Sequence, residues 1–167
     1  MRNGPESALL QPCRAWLERY LRQAHRGAMV TILPDTERRQ LRAVLSEADF
    51  APHFPESSAW EVRVDVVGVV ERKSEVLLAF VELKATPITL VNVGQLLAYC
   101  RVCRPSEAFL LSSKGLSGDL DRLLTTYGRL DVLEFGQTTM QVGRWHCGRK
   151  EPDWSSMIPG GAFPSIG

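Results

Sequence analysis

Apolar and polar positions along this chain switch between two periods, and the switches mark out the elements. In residues 7–24, Leu9, Leu10, Cys13, Trp16, Leu17, Tyr20 and Leu21 recur at spacings of three and four. That is the stripe of an amphipathic helix. Pro12 falls in its first turns, where proline is tolerated. Arg14, Glu18, Arg19 and Arg22 fill the opposite face, and Gly27 ends it. Residues 28–33 form a short apolar run, a strand stopped by Pro34-Asp35. Periodicity predicts a second helix over 36–46, and the prolines of 51–58 predict a loop. Two long strands follow, 60–70 and 76–83, joined by the polar turn 71–75. Residues 85–90 contain Pro87 and lead into a helix over 93–102. Next come a strand at 108–113, a helix at 116–127, a strand at 130–135 and a last, edge strand at 138–147. Residues 149–167 carry Pro152, Pro159 and Pro164 among several glycines and predict an irregular tail.

That order predicts an α/β domain with a mixed central sheet flanked by helices on both faces. At 167 residues there is room for one ordinary core and too little for two. Residues 1–148 therefore read as one domain and 149–167 as its tail. The apolar share of 44% and the charged share of 23% are ordinary for a globular chain.

Charge changes the picture little. With 20 basic and 19 acidic residues the net charge is +1, so any attraction for a polyanion must come from local patches. Arg14, Arg19, Arg22 and Arg26 form one basic group, and Arg38, Arg39 and Arg42 another. No apolar run reaches bilayer length, and no signal-peptide pattern opens the chain. A cytoplasmic protein without membrane partners is expected, with Cys13, Cys100, Cys103 and Cys147 as reduced thiols. Cys100 and Cys103, with His146 and Cys147, could form a zinc set of unusual spacing, but small buried thiols are the simpler reading. Trp145 and Trp154 can stack on bases or anchor core and tail. The chain has no G-x-S-x-G, no P-loop and no dinucleotide fingerprint.

The chemistry concentrates on two strands. Asp65 interrupts the apolar run 62–68, and Glu82 and Lys84 interrupt 80–84. Ionised side chains are rarely buried unless paired or bound to a metal. Glu82 and Lys84 share one face of their strand, and a hairpin would bring Asp65 beside them. Two carboxylates and an ammonium at a sheet end are what a hard divalent cation and a phosphodiester need. Asp65 and Glu82 can ligate Mg²⁺ or Mn²⁺, and the Leu83 carbonyl can add a third oxygen. Lys84 can serve as a base or as an electrostatic clamp on water or phosphate. The competing reading is an internal Asp65–Lys84 ion pair with Glu82 facing solvent.

Asp65, the element Glu82-Leu83-Lys84 and the pair Gln95 and Tyr99 on the following helix resemble the PD-(D/E)xK nuclease superfamily. Val64 stands where that pattern has proline. The resemblance spans residues 6–133. It implies a restriction-endonuclease-like core and a metal-dependent nuclease, most simply one acting on DNA. Asp65, Glu82 and Lys84 would be its central residues and Gln95 their support. Glu6 resembles the acid that some members carry on their first helix, and Glu18 in the same helix competes for that place. A homodimer or a larger nuclease complex would suit cleavage of two strands. The alternative is a non-catalytic nucleic-acid-binding or assembly module on the same fold.

Overall fold

A computed structural model describes residues 4–160. The first apolar stripe folds as α1 (Ser7–Ala24), which buries Leu9, Cys13, Trp16, Leu17 and Leu21. After it come β1 (Met29–Ile32), α2 (Leu41–Glu47), β2 (Val66–Glu71), β3 (Val76–Lys84), α3 (Leu90–Cys103) and β4 (Glu107–Ser112). The remaining elements are short: α4 (Gly118–Asp121), β5 (Glu134–Phe135), β6 (Thr138–Thr139), β7 (Gln141–His146) and β8 (Glu151–Pro152).

Six strands form one mixed sheet in the order β1-β2-β3-β4-β7-β8. β2 runs antiparallel to both its neighbours, β1 and β3, β4 runs parallel to β3, β7 parallel to β4, and β8 antiparallel to β7. A sheet with parallel connections needs both faces covered, and helices cover both. Val66, Val70, Ala79, Val81 and Leu83 pack with α1 on one face. Val67, Val69, Leu78 and Phe80 pack with α2 and α3 on the other. Strand alternation places Glu82 and Lys84 in line with Leu78 and Phe80, at the end of that second face.

Several boundaries differ from the sequence reading. The strand expected over 60–70 joins the sheet only from Val66. Residues 60–64 belong to no helix or strand, and the Leu41 N–H reaches the Val62 carbonyl at 2.8 Å. Val62 and Val64 are buried there, so their apolar pattern marks core contact and not strand pairing. The helix expected from Thr36 begins at Leu41. Asp35 has φ +56°, and the Arg38 and Arg39 N–H groups close a turn on its carbonyl. The helix expected over 116–127 starts at Gly118 and widens into a π-turn over Arg122–Thr126. The strand expected over 130–135 is a 3₁₀ turn with two strand residues, which pair with β6 in a separate ribbon. β7 is an interior strand and not an edge, because β8 pairs on its far side.

The expected irregular tail is partly built into the domain. Ile158 bridges Val142, Met157 is buried, and Trp154 packs on Tyr20, Phe109 and Trp16. Gly143 permits this crossing, since a Cβ there would lie 3.1 Å from the Met157 backbone. Trp145 is a core residue. Residues 161–167, including Pro164, lie outside the described residues. Cys100 and Cys103 lie on the buried side of α3, and burial pushes both thiols up to about 12. Cys147 is exposed, and the zinc set is not assembled among the described residues. No helix among them is long and apolar enough to cross a membrane.

Candidate active site

β2 and β3 pair as far as Val66 opposite Val81. One residue beyond that ladder, Asp65 continues the pairing with its side chain. Its Oδ2 accepts the Leu83 N–H at 2.8 Å, and its own N–H donates to Glu82 Oε2 at 3.4 Å. Lys84 Nζ donates to Glu82 Oε1 at 3.0 Å. Asp65, Glu82 and Lys84 therefore converge where β3 leaves the sheet. In a strand the N–H and C=O of one residue point the same way, so the Leu83 carbonyl faces the Asp65 side as well.

The pairing differs from the simple ion-pair expectation. Lys84 bonds Glu82, and the Glu82 side chain is only 12% exposed, not facing solvent. Burial drives its carboxyl up to about 7, and the nearby Asp65 charge adds to the rise. Lys84 moves upward too: burial opposes its charge, but Glu82, Asp65 and Glu6 outweigh that. These neighbours thus favour the protonated form of Lys84.

α1 brings Glu6 to the same place. Glu6 Oε1 accepts the Ala85 N–H at 3.4 Å, just past β3. Glu18 lies twelve residues further on, about 18 Å along the axis, and pairs with Arg22 at 2.7 Å. Gln95 is exposed on α3, and its side chain makes no hydrogen bond among the described residues. It does not join Asp65, Glu82 and Lys84 in this structure. Tyr99 packs against the core beneath α3.

Two supporting residues escaped the sequence reading. Thr36 is fully buried, and its Oγ1 donates to the Asp65 carbonyl at 3.0 Å. Ser112, also fully buried, donates to the Thr86 carbonyl at 2.6 Å and ties the loop after β3 to β4. Both are short hydroxyl residues near turns, where local capping is the usual role. Only the tertiary fold shows what they reach.

A cavity of about 720 Å³ opens beside the cluster. Glu6, Glu37, Arg38, Arg63, Asp65 and Thr86 are among the residues that line it. Of the expected basic groups, Arg14 is half-buried against Glu37 at 2.6 Å, Arg22 pairs with Glu18, and Arg39 with Glu47. Three of those seven arginines are therefore held by acids within the protein.

Among the described residues no group of three or more His, Cys, Asp or Glu side chains is placed to hold a metal. The donors present are two carboxylates and a backbone carbonyl, all oxygen. Mg²⁺ is commonly held by one or two carboxylates with waters and substrate phosphates, not by an all-protein cage. A carboxylate driven up by burial and by a like-charged neighbour is also the kind of site that a cation relieves. The residues present fit such an ion. No family model, no curated protein and no solved structure matches this chain.

Proposed function

We propose that this chain is a divalent-metal-dependent nuclease with a restriction-endonuclease-like core, hydrolysing phosphodiester bonds in DNA. One observation carries the reading: Asp65, Glu82 and Lys84 meet at the open end of a hydrophobic sheet, beside a cavity. A buried ionisable cluster in a cleft, shifted by burial and by a specific charge partner, is a functional-site candidate. Buried ion pairs stabilise poorly against apolar replacements, so a purely structural role explains little here. The order β1-β2-β3-β4, with α1 and α3 on opposite faces, supports the fold assignment.

Asp65 and Glu82 would hold Mg²⁺ or Mn²⁺, with the Leu83 carbonyl as a further oxygen. When bound, the ion supplies a Lewis acid for a phosphoryl oxygen and lowers the pKa of a water. The Leu83 N–H fixes the Asp65 carboxylate, and Thr36 fixes its backbone. Lys84, held protonated, donates to water or to a non-bridging phosphate oxygen and balances developing charge. Glu6 adds negative charge that keeps Lys84 ionised.

The test is a cleavage panel on the purified protein. Linear, single-stranded and branched DNA, with RNA for comparison, are incubated with Mg²⁺, Mn²⁺ or EDTA. Metal-dependent DNA cleavage supports the reading. Its absence on every substrate, with no divalent-ion heat in calorimetry, would favour a non-catalytic nucleic-acid-binding or assembly module.

A further inference from the structure

Two guanidinium groups face the cavity beside the carboxylates, and neither is firmly engaged. Arg63 stands two residues before Asp65, in the segment that leads into β2. Val62 and Val64 are buried there while Arg63 is exposed, so alternation puts Arg63 and Asp65 on one side. Arg63 lines the cavity and makes no ion pair or hydrogen bond among the described residues. Arg38 lines it too. Its Nε lies 3.5 Å from Glu37, its side chain is 77% exposed, and Glu37 is already held by Arg14 at 2.6 Å.

A cavity walled by Glu6 and Asp65 repels a polyanion. A phosphate backbone entering it needs cationic partners near the scissile bond, aimed inward and not already neutralised. Two further cations there are already matched, Lys84 by Glu82 and Arg14 by Glu37. We propose that Arg63, assisted by Arg38, binds the backbone phosphate next to the scissile one and sets the register of the strand against Asp65 and Glu82. This rests on the nuclease reading of the same site. A guanidinium fork suits a phosphate because two parallel N–H donors meet two oxygens.

The experiment compares wild type with Arg63→Ala, Arg63→Lys, Arg38→Ala and the control Arg39→Ala, whose arginine is engaged by Glu47. Steady-state cleavage of a fluorescein-labelled DNA oligonucleotide gives KM and kcat. Anisotropy with Ca²⁺ in place of Mg²⁺ gives Kd across a salt series. Arg63→Ala should raise KM and Kd roughly tenfold. It should leave kcat within about threefold and reduce the salt slope by about one phosphate. Arg63→Lys should keep the slope and recover part of the affinity, Arg38→Ala should act in the same direction more weakly, and Arg39→Ala should be silent. If wild type cuts DNA while Arg63→Ala and the Arg38→Ala/Arg63→Ala double variant keep its KM, Kd and slope, the clamp is wrong and the nuclease reading stands. If wild type binds DNA without cutting and Arg63→Ala still lowers the slope, catalysis fails and the clamp stands. If wild type neither binds nor cuts, both fall.

Discussion

The hydroxyl of Thr36 donates to the backbone carbonyl of Asp65 across 29 positions of sequence, at 3.0 Å and out of reach of solvent. This bond holds Asp65 at the point where β2 has not yet joined the sheet. Without it, the residues before Val66 have few backbone partners to set where the carboxylate points.

Thr36→Val should therefore act on the site more than on the fold. It keeps the side chain's shape and leaves one carbonyl unsatisfied, a cost of about 1–3 kcal/mol. Cleavage should fall about tenfold or more, since small misplacements of a metal ligand are costly. Thr36→Ser should restore most of it. Thermal melts set beside cleavage rates check this; a variant that melts lower yet cleaves at the wild-type rate would remove Thr36 from the site.

The three converging groups make the sharpest test. Asp65→Asn, Glu82→Gln and Lys84→Met should each lower kcat by about 10²-fold or more and leave the circular dichroism spectrum unchanged. Gln95→Ala should stay within a few-fold of wild type, because Gln95 is exposed and bonds none of the three. A large kcat loss on Gln95→Ala would mean that substrate draws it into the site.

Most of the sheet was legible in the sequence because its strands are long apolar runs bounded by turn residues, and the period-two placement of Glu82 and Lys84 carried over directly. Residues 60–64 misled because burial of Val62 and Val64 and true strand pairing leave the same pattern. The last third of the chain was harder. α4, β5, β6 and β8 are two to four residues each, too short to show a period, and Met157 and Trp154 fold back through contacts that no local signal encodes. Glu6 and Glu18 looked equivalent on one helix; only the direction in which α1 crosses the sheet separates them.

Metal binding should depend on pH in a definite direction. Folded Glu82 holds its proton up to about 7, against an ordinary value of 4.5, and a cation must displace that proton. Affinity for Mg²⁺ or Mn²⁺ should climb as pH rises towards 7, by up to about tenfold per unit, and level off above. Stability of the metal-free protein should run the other way. Unfolded Glu82 loses its proton near 4.5 while folded Glu82 keeps it, so the unfolded state binds fewer protons in that window and this contribution falls with rising pH. Calorimetric titrations from about one pH unit below the expected midpoint to about one above it read the first effect, and urea midpoints on Glu82→Gln against wild type read the second. An affinity flat across that range would take Glu82 out of the ligand set.

The last prediction concerns how α1, and with it Glu6, is seated. Gly68 in β2 lies under this helix, and a Cβ there would sit 2.5 Å from Leu21 Cδ1 and 3.4 Å from Leu17 Cδ2. Leu17 and Leu21 are both fully buried, so the added methyl has little free space to use. Gly68→Ala should destabilise by about 1–3 kcal/mol through overpacking. Leu21→Ala alone should cost about 2–5 kcal/mol through the cavity it leaves. Each change answers the other, since the new methyl occupies part of the space that Leu21 vacates. The double variant should therefore lose less than the sum of the two, with a coupling of about 0.5–3 kcal/mol in a double-mutant cycle from urea unfolding. Strict additivity would mean that α1 does not rest on Gly68 through Leu21, and would loosen the link between helix packing and the position of Glu6 beside Ala85.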